Sequence, residues 1–239
     1  MRAARPLFAA VALATLAGLA PAVAQASLVN GGFETPDVAS WGLKHVGDTS
    51  ITGWTVVGNT LSFQDSAAFG HVGVVASEGG QFLELSGVVG RGGGVRSDPF
   101  ATMAGARYRL AFDIGAFFVG GQGAYGDVTV DLWIDGQAAG SFTNLLGLSS
   151  AGSDWETRTV EFVAAGPLST VEFRSSLLTS SSDLGVGLDN IHLDQIAGPP
   201  PAVPEPGSLA LAALGLAVLG LRGRAGLQDN RGHHAAPPA

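Results

Sequence analysis

Apolar and polar residues alternate in short segments along the middle of the chain, and this period of two predicts β-strands. The clearest segment runs from Asp127 to Asp135. Its alternate apolar residues are Val128, Val130, Leu132 and Ile134. Successive side chains of a strand point to opposite faces, so these four predict a core face and Trp133 falls on the polar face.

Further segments with strand character precede and follow this one. They are Leu28 to Glu34, Trp54 to Val57, Leu61 to Gln64, Gln81 to Leu85, Gly94 to Phe100, Tyr108 to Phe112, Ala139 to Phe142, Val160 to Phe162, Val171 to Phe173 and Ile191 to Leu193. Asp135-Gly136 supplies the residues of a tight hairpin turn. No central segment has a capped helical period, so the pattern predicts an all-β sandwich of about nine to eleven strands.

Composition narrows the partners that this sandwich can have. From Ser27 to Val203 the chain contains 18 acidic and seven basic residues, a net charge of −11. An acidic surface repels nucleic acid and anionic lipid headgroups, whereas it is compatible with cations and neutral glycans. The chain contains no cysteine, so a packed core must supply stability in place of disulfides.

The N-terminal residues have the pattern of an export signal. Arg2 and Arg5 precede an apolar stretch from Leu7 to Leu19, and Ala24-Gln25-Ala26 is a small-x-small site for signal peptidase. Cleavage between Ala26 and Ser27 is predicted. Residues 1–26 are therefore interpreted as a signal peptide and residues 27–197 as one exported domain.

A second targeting pattern lies near the C-terminus. Residues 198–203 form a Pro-rich linker, Pro204-Glu205-Pro206 follows, and an apolar run from Leu209 to Leu221 ends in basic residues. This arrangement over 204–224 resembles the PEP-CTERM sorting signal of Gram-negative exosortase systems. The resemblance implies cleavage by exosortase, delivery to the envelope or extracellular matrix, and transient inner-membrane association. The polar tail at 225–239 is longer than is usual for the family.

The two ends of the predicted sandwich carry a further resemblance. Asn30-Gly31-Gly32-Phe33-Glu34, Gly53-Trp54 and Gly187-Leu188-Asp189-Asn190-Ile191 are similar to motifs of the galactose-binding-like jelly roll. That fold occurs in bacterial "choice-of-anchor" domains and in carbohydrate-binding modules. The resemblance implies a jelly-roll β-sandwich, with polysaccharide as a ligand.

The same resemblance implies a structural calcium ion. In related carbohydrate-binding modules a glutamate and an aspartate at the positions of Glu34 and Asp189 hold Ca²⁺ together with backbone carbonyls. Ca²⁺ takes six to eight oxygen ligands, so two carboxylates from opposite ends of the domain would join them. The alternative is that Glu34 is a solvated carboxylate and Asp189 is a turn or cap residue.

Exposed aromatic residues are the candidate glycan contacts, because sugar rings stack on aromatic faces. Trp133 is the first candidate, Tyr125 in the preceding loop is the second, and Trp41 in a predicted loop is the third. Each could instead be covered by a neighbouring loop or sheet. Trp54, Trp155 and Phe112 are predicted to lie in the core.

Catalytic motifs are absent or out of context. Gly121 to Gly126 has the G-x-G-x-x-G spacing, but a strand follows where dinucleotide binding needs a helix. We therefore predict a non-catalytic protein that binds or organises polysaccharide. A structural or adhesive surface protein without a glycan ligand is the alternative, and a secreted hydrolase with a carboxylate pair is the least favoured.

Overall fold

The structure, a computed structural model, describes residues 27–87, 92–118, 128–146, 152–176 and 184–200. Contacts divide the chain into two compact units, Met1–Pro199 and Pro200–Ala239. The predicted signal peptide, the sorting motif with its apolar run, and Tyr125 lie outside the described residues. Among the described helices, none has the length and apolar character needed to cross a membrane.

Thirteen strands and two short helical turns form the described fold. In chain order the strands are β1 Trp41–Lys44, β2 Trp54–Val57, β3 Leu61–Asp65, β4 Gln81–Glu84, β5 Gly94–Ser97, β6 Phe100–Ala101, β7 Arg107–Phe118, β8 Val128–Ile134, β9 Gln137–Asn144, β10 Gly152–Val163, β11 Leu168–Ser169, β12 Val171–Ser175 and β13 Leu184–Ala197. A single helical turn, α1 (Ser66–Phe69), is followed by a 3-10 turn at Gly70–Val72.

Two antiparallel sheets contain eleven of these strands. Sheet A has the order β1-β3-β4-β13-β7-β10, and sheet B has the order β2-β5-β12-β8-β9. Strands β6 and β11 form a separate two-stranded pair. The architecture is an all-β jelly-roll sandwich, as the alternating pattern and the sequence resemblance predicted.

The strand period predicted from the sequence produces the core. In β8 the burial pattern alternates strictly, with Val128, Val130, Leu132 and Ile134 buried and the residues between them half-exposed. The facing sheet contributes Tyr108, Leu110, Phe112 and Ile114 from β7, all with no exposed surface. Asp135 (φ 52°) and Gly136 (φ 76°) form the tight turn between β8 and β9, which confirms the predicted hairpin.

Two local predictions were wrong. The segment from Leu28 to Glu34 is a turn, not a strand. Asn30 and Phe33 both have positive φ, and the Asn30 side chain bonds backbone groups of Thr35 and Thr52. This side-chain competition for backbone partners favours a turn over a sheet ladder. Trp41, placed in a loop by the sequence, begins edge strand β1 and pairs with Gln64 of β3.

Candidate functional site

The outer face of sheet B carries a row of five residues, one from each strand. The row runs Thr55, Arg96, Glu172, Trp133 and Ala138. Neighbouring strands lie about 4.8 Å apart, so the row is roughly 19 Å long. The residues on the opposite face of these strands, such as Val56, Val95, Phe173 and Leu132, are buried in the core. The row therefore belongs to the surface of the sandwich.

A second row lies beside the first on the same face. It runs Val57, Gly94, Arg174, Asp131 and Ser141. Ser141 donates a hydrogen bond to Asp131. We call the two rows together the Trp133 face. An aromatic ring among carboxylates, guanidinium groups and hydroxyls is an arrangement suited to a polar ring-shaped ligand.

Trp133 occupies the position on this face that the sequence alternation predicted, and it is half-buried. The guanidinium carbon of Arg174 lies 5.4 Å from the centre of the indole ring, which is cation–π distance. Arg174 also forms an ion pair of 2.6 Å with Glu172, whose side chain is 15% exposed. The indole of Trp133 therefore lies beside an arginine that is itself ion-paired.

Of the other two aromatic candidates, only Trp41 lies in the described part of the chain, and it does not join Trp133. Trp41 is 52% exposed on edge strand β1 of sheet A, so it belongs to the other sheet. Tyr125 lies outside the described residues. Trp54 and Phe112 are buried as predicted, and Trp155 packs against the core from a half-buried position. One described site of aromatic character therefore centres on Trp133, and Trp41 is a separate exposed ring.

The predicted calcium ligands meet the same short segment, residues 77–81, from two sides. The Oδ2 atom of Asp189 accepts the backbone N–H groups of Ser77 (2.9 Å) and Glu78 (3.0 Å). The Oε1 atom of Glu34 accepts those of Gly80 (2.9 Å) and Gln81 (2.9 Å). We call this arrangement the carboxylate clasp. It joins the N-terminal turn and the last strand to the 77–81 segment.

The donors at the clasp are N–H groups, whereas a calcium ion needs oxygen ligands. The Oδ1 atom of Asp189 accepts a further N–H, from Asn190 at 2.7 Å. Within the described residues, no group of three or more His, Asp or Glu side chains is placed to hold a metal ion. As they lie here, Glu34 and Asp189 bind the polypeptide directly and do not by themselves fit a calcium centre. Calcium at this position stays a prediction.

Asp189 lies directly opposite Asp113 of β7, so two carboxylates are buried side by side. Asp113 accepts hydrogen bonds from Ser77, from Thr157 (2.6 Å) and from Asn190 (3.0 Å). Burial raises the pKa of Asp189 to about 7, the N–H donors lower it, and the charge of Asp113 raises it further. The hydrogen-bond partners of the two carboxylates are Ser77, Glu78, Thr157 and Asn190.

A second buried acid lies on strand β4. Glu84 accepts the N–H groups of Ser86 (2.5 Å) and Gly87 (3.1 Å). Burial raises the pKa of Glu84 to about 7, although these hydrogen bonds act in the opposite direction. The sequence offered no signal for this, because the alternation of β4 does not reveal that both faces of the strand are covered.

A cleft of about 370 Å³ opens between β9 and β10, the edge strands of the two sheets. Its lining is largely apolar and includes Ile134, Val160 and Phe162. Both carboxylates of the lining already have partners: Asp135 accepts bonds from Thr170 and Ser169, and Glu161 pairs with Arg109. Neither Glu84 nor Asp189 lines this cleft.

Sequence reasoning missed the charged members of the Trp133 face. The sequence placed Glu172 only between Val171 and Phe173 of a predicted strand, Arg174 only after it, and Arg96 only within another predicted strand. Their alternation with buried residues could have placed all three on an outer face. The register that brings them beside Trp133 depends on long-range strand pairing, which the local sequence does not contain.

Comparison with known proteins relates the chain to two families of sequence. The HpiC1-like family, described as HpiC1 cyclase, matches residues 24–194. The PEP-CTERM protein-sorting motif matches residues 202–225. The sorting motif predicted from Pro204-Glu205-Pro206 is therefore confirmed, and it marks an exported protein associated with the cell envelope. No curated protein matches the chain.

The chain is similar to several solved structures at low sequence identity. The Stig cyclase Fisc from Fischerella sp. TAU, bound to (3Z)-3-(1-methyl-2-pyrrolidinylidene)-3H-indole, aligns with a TM-score of 0.51 and 18% identity over 73% of this chain and 98% of that chain. A Fischerella sp. TAU cyclase in complex with 4-(1H-indol-3-yl)butan-2-one gives the same four values. A family 35 carbohydrate-binding module from Clostridium thermocellum has a TM-score of 0.38 and 12% identity over 67% and 100%.

The family match covers more than two thirds of the chain, including every strand except the last residues of β13. The two cyclase structures are nearly covered in full, so their whole fold is present here. The chain belongs to the HpiC1-like family, with a PEP-CTERM sorting motif following its family domain.

Proposed function

We propose that this exported protein is a non-catalytic glycan-binding module of the cell envelope, and that the glycan binds the Trp133 face. The observation that carries the proposal is the half-buried indole of Trp133, held by the Arg174–Glu172 ion pair in a surface row of polar side chains. A sugar ring stacks its C–H face on an indole, and the adjacent charged groups and hydroxyls bind its hydroxyl groups.

The place of the protein in the cell supports this choice of ligand. A protein delivered to the envelope is placed where extracellular polysaccharide is found. Signal peptidase, acting between Ala26 and Ser27, and exosortase, acting near Pro204-Glu205-Pro206, are the proposed processing partners. Transient inner-membrane association of a Gram-negative cell through Leu209 to Leu221 belongs to the same proposal.

Retention on insoluble polysaccharides tests the proposal. The full chain is expected to bind at least one member of a panel, and Trp133→Ala should lose that retention because the stacking surface is removed. Trp41→Ala is the matched control, since Trp41 is also exposed but lies on the other sheet. Retention of Trp133→Ala equal to that of the unmodified chain would contradict the proposed site.

A chain that binds no glycan at all would leave the structural or adhesive hypothesis. In that case the acidic, glycine-rich surface itself would mediate packing in the matrix. Adhesion of the protein that no soluble oligosaccharide inhibits would favour this alternative.

The HpiC1-like family favours a second candidate function, action on a small organic molecule. The observation behind it is the apolar cleft between β9 and β10, whose volume falls in the usual range for small-molecule sites. The described carboxylates of that cleft are engaged with other residues, which is why we rank catalysis second. An upward shift of the melting temperature with 4-(1H-indol-3-yl)butan-2-one as probe, abolished by Val160→Trp, would favour it.

A further inference from the structure

We propose that the glycan of the Trp133 face is anionic, and that Arg96 binds the carboxylate of a uronate-type sugar. This inference rests on the proposed function and adds to it the chemical class of the ligand. It follows from which basic residues in the described part of the domain have a partner within the protein, and from their positions in the sheet.

Nearly all described basic residues of the domain have a partner within the protein. Arg107 and Arg109 pair with Glu161, Arg158 pairs with Glu156, and Arg174 pairs with Glu172. Lys44 donates a hydrogen bond to Ser50 at 2.7 Å. Among the described ion pairs and side-chain hydrogen bonds, none engages Arg96, and its residue is exposed. A guanidinium group with five donors is thus left for an external acceptor.

The register explains why Arg96 has no partner among the described side chains. Glu172 lies directly opposite Arg96 on β12, which is the position for a cross-strand ion pair. The carboxylate of Glu172 instead bonds Arg174 two residues along its own strand. On β5 the residue two before Arg96 on the same face is Gly94, which has no side chain to cover the guanidinium.

The spacing suits two contacts with one ligand. Arg96 and Trp133 are two strands apart in the same row, so their Cα atoms are about 10 Å from each other. The long side chain of arginine shortens that gap. One sugar unit stacked on Trp133 can therefore place its own carboxylate, or that of the next unit, against Arg96. A planar guanidinium binds a carboxylate through two parallel hydrogen bonds, which a neutral hydroxyl cannot accept in the same way.

The acidic surface of the domain opposes the approach of an anionic glycan to Arg96. The net charge of −11 from Ser27 to Val203 repels a polyanion at long range. At physiological ionic strength the Debye length is about 8 Å, so distant carboxylates are largely screened. The attraction between Arg96 and a ligand carboxylate in direct contact with it is screened less. On the Trp133 face itself the charges of Arg96, Arg174, Glu172 and Asp131 sum to zero, so the face is less acidic than its surroundings.

The experiment compares polygalacturonate with its methyl ester, which keeps the sugar backbone and removes the charge. Affinity electrophoresis of the full chain at about 0.15 M salt measures both. We expect the acid form to bind roughly three- to tenfold more tightly than the ester. Arg96→Gln should remove that difference, so that the variant binds the acid form and the ester equally. Arg109→Gln, an arginine on sheet A paired with Glu161, is the matched control and should change neither.

The possible outcomes separate this inference from the function on which it rests. Equal binding of the two polymers by the unmodified chain, or an unaltered preference in Arg96→Gln, overturns the anionic assignment. In both cases Trp133→Ala still tests glycan binding by itself. Loss of the acid preference in Arg96→Gln together with loss of all binding in Trp133→Ala supports both proposals.

Discussion

Glycine at positions 115 and 187 makes room for Trp155 on the outer face of sheet A. The three residues are neighbours in one row across β10, β7 and β13. A Cβ atom at Gly187 would lie 2.6 Å from the Trp155 ring, and one at Gly115 would lie 2.8 Å from it. The indole therefore lies flat across two strands that have no side chains beneath it, and its ring edge packs against Phe82.

Gly187→Ala is expected to displace Trp155 and to lower the free energy of unfolding by about 1–3 kcal/mol, as overpacking does in other cores. Chemical denaturation measures this change. Gly42→Ala in edge strand β1 is the matched control, because a Cβ atom there would meet no other atom within 4 Å. Equal stability of Gly187→Ala and Gly42→Ala would contradict the packing described here.

Single residues also show which features could be predicted from the sequence and which could not. The face of Trp133 followed from alternation, because that period is local to one strand. The packing of Trp155 on two glycines did not, because the glycines belong to strands about 40 and 30 residues away from it along the chain. The sequence also could not predict that Arg96 forms no described ion pair, because this depends on Glu172 pairing with Arg174 in the folded chain.

At the level of elements, the carboxylate clasp determines how the connection before β4 is held. Ser77 and Glu78 are fixed by Asp189 of β13, and Gly80 and Gln81 are fixed by Glu34. The same connection is bonded further along by Ser153 and Trp155 of β10, which contact Val75. Side chains from three distant segments therefore hold a stretch that has little regular structure of its own.

Calcium at the clasp is tested by thermal unfolding with and without a chelator. If Ca²⁺ binds Glu34 and Asp189, chelation should lower the midpoint, because a ligand that binds only the folded state stabilises it. Asp189→Asn should abolish that calcium dependence, whereas Asp194→Asn on the same strand should retain it. An unchanged midpoint on chelation would contradict the calcium prediction and leave the direct hydrogen bonds as the function of the clasp.

Elements with a strong local signal were predicted well from the sequence, and those with competing signals were not. Strands β2 and β8 were predicted within one residue of their ends, and β8 was the clearest signal because its burial alternates without interruption. The segment from Leu28 to Glu34 was also predicted as a strand, but Asn30 and Phe33 adopt positive φ values in a turn. Strand β1 was missed because its exposed Trp41 and Leu43 resemble a loop.

For the molecule as a whole, two buried acids give the stability an unusual dependence on pH. Burial raises the pKa values of Glu84 and Asp189 to about 7, from ordinary values near 4. At pH values between about 4 and 7 the folded state therefore binds more protons than the unfolded state. The free energy of unfolding should therefore fall as the pH rises from about 4 to 7, and level off above that range.

Denaturation at a series of pH values measures this slope. Each acid can contribute roughly 3–4 kcal/mol to the fall, by the ordinary conversion of pKa shifts. Glu84→Gln removes one titrating group, so its stability should decline less steeply across the same range. Stability that rises from pH 5 to 7 in the unmodified chain, with no change of slope in Glu84→Gln, would contradict the burial of these two acids.

The whole molecule is an exported jelly-roll domain of the HpiC1-like family followed by a sorting motif, and its central proposed property is glycan binding on sheet B. The most direct test is a binding isotherm of the full chain with a soluble oligosaccharide of the glycan retained in the panel. We predict saturable binding that Trp133→Ala weakens at least tenfold and Trp41→Ala leaves unchanged. Identical isotherms for Trp133→Ala and the unmodified chain would contradict the account.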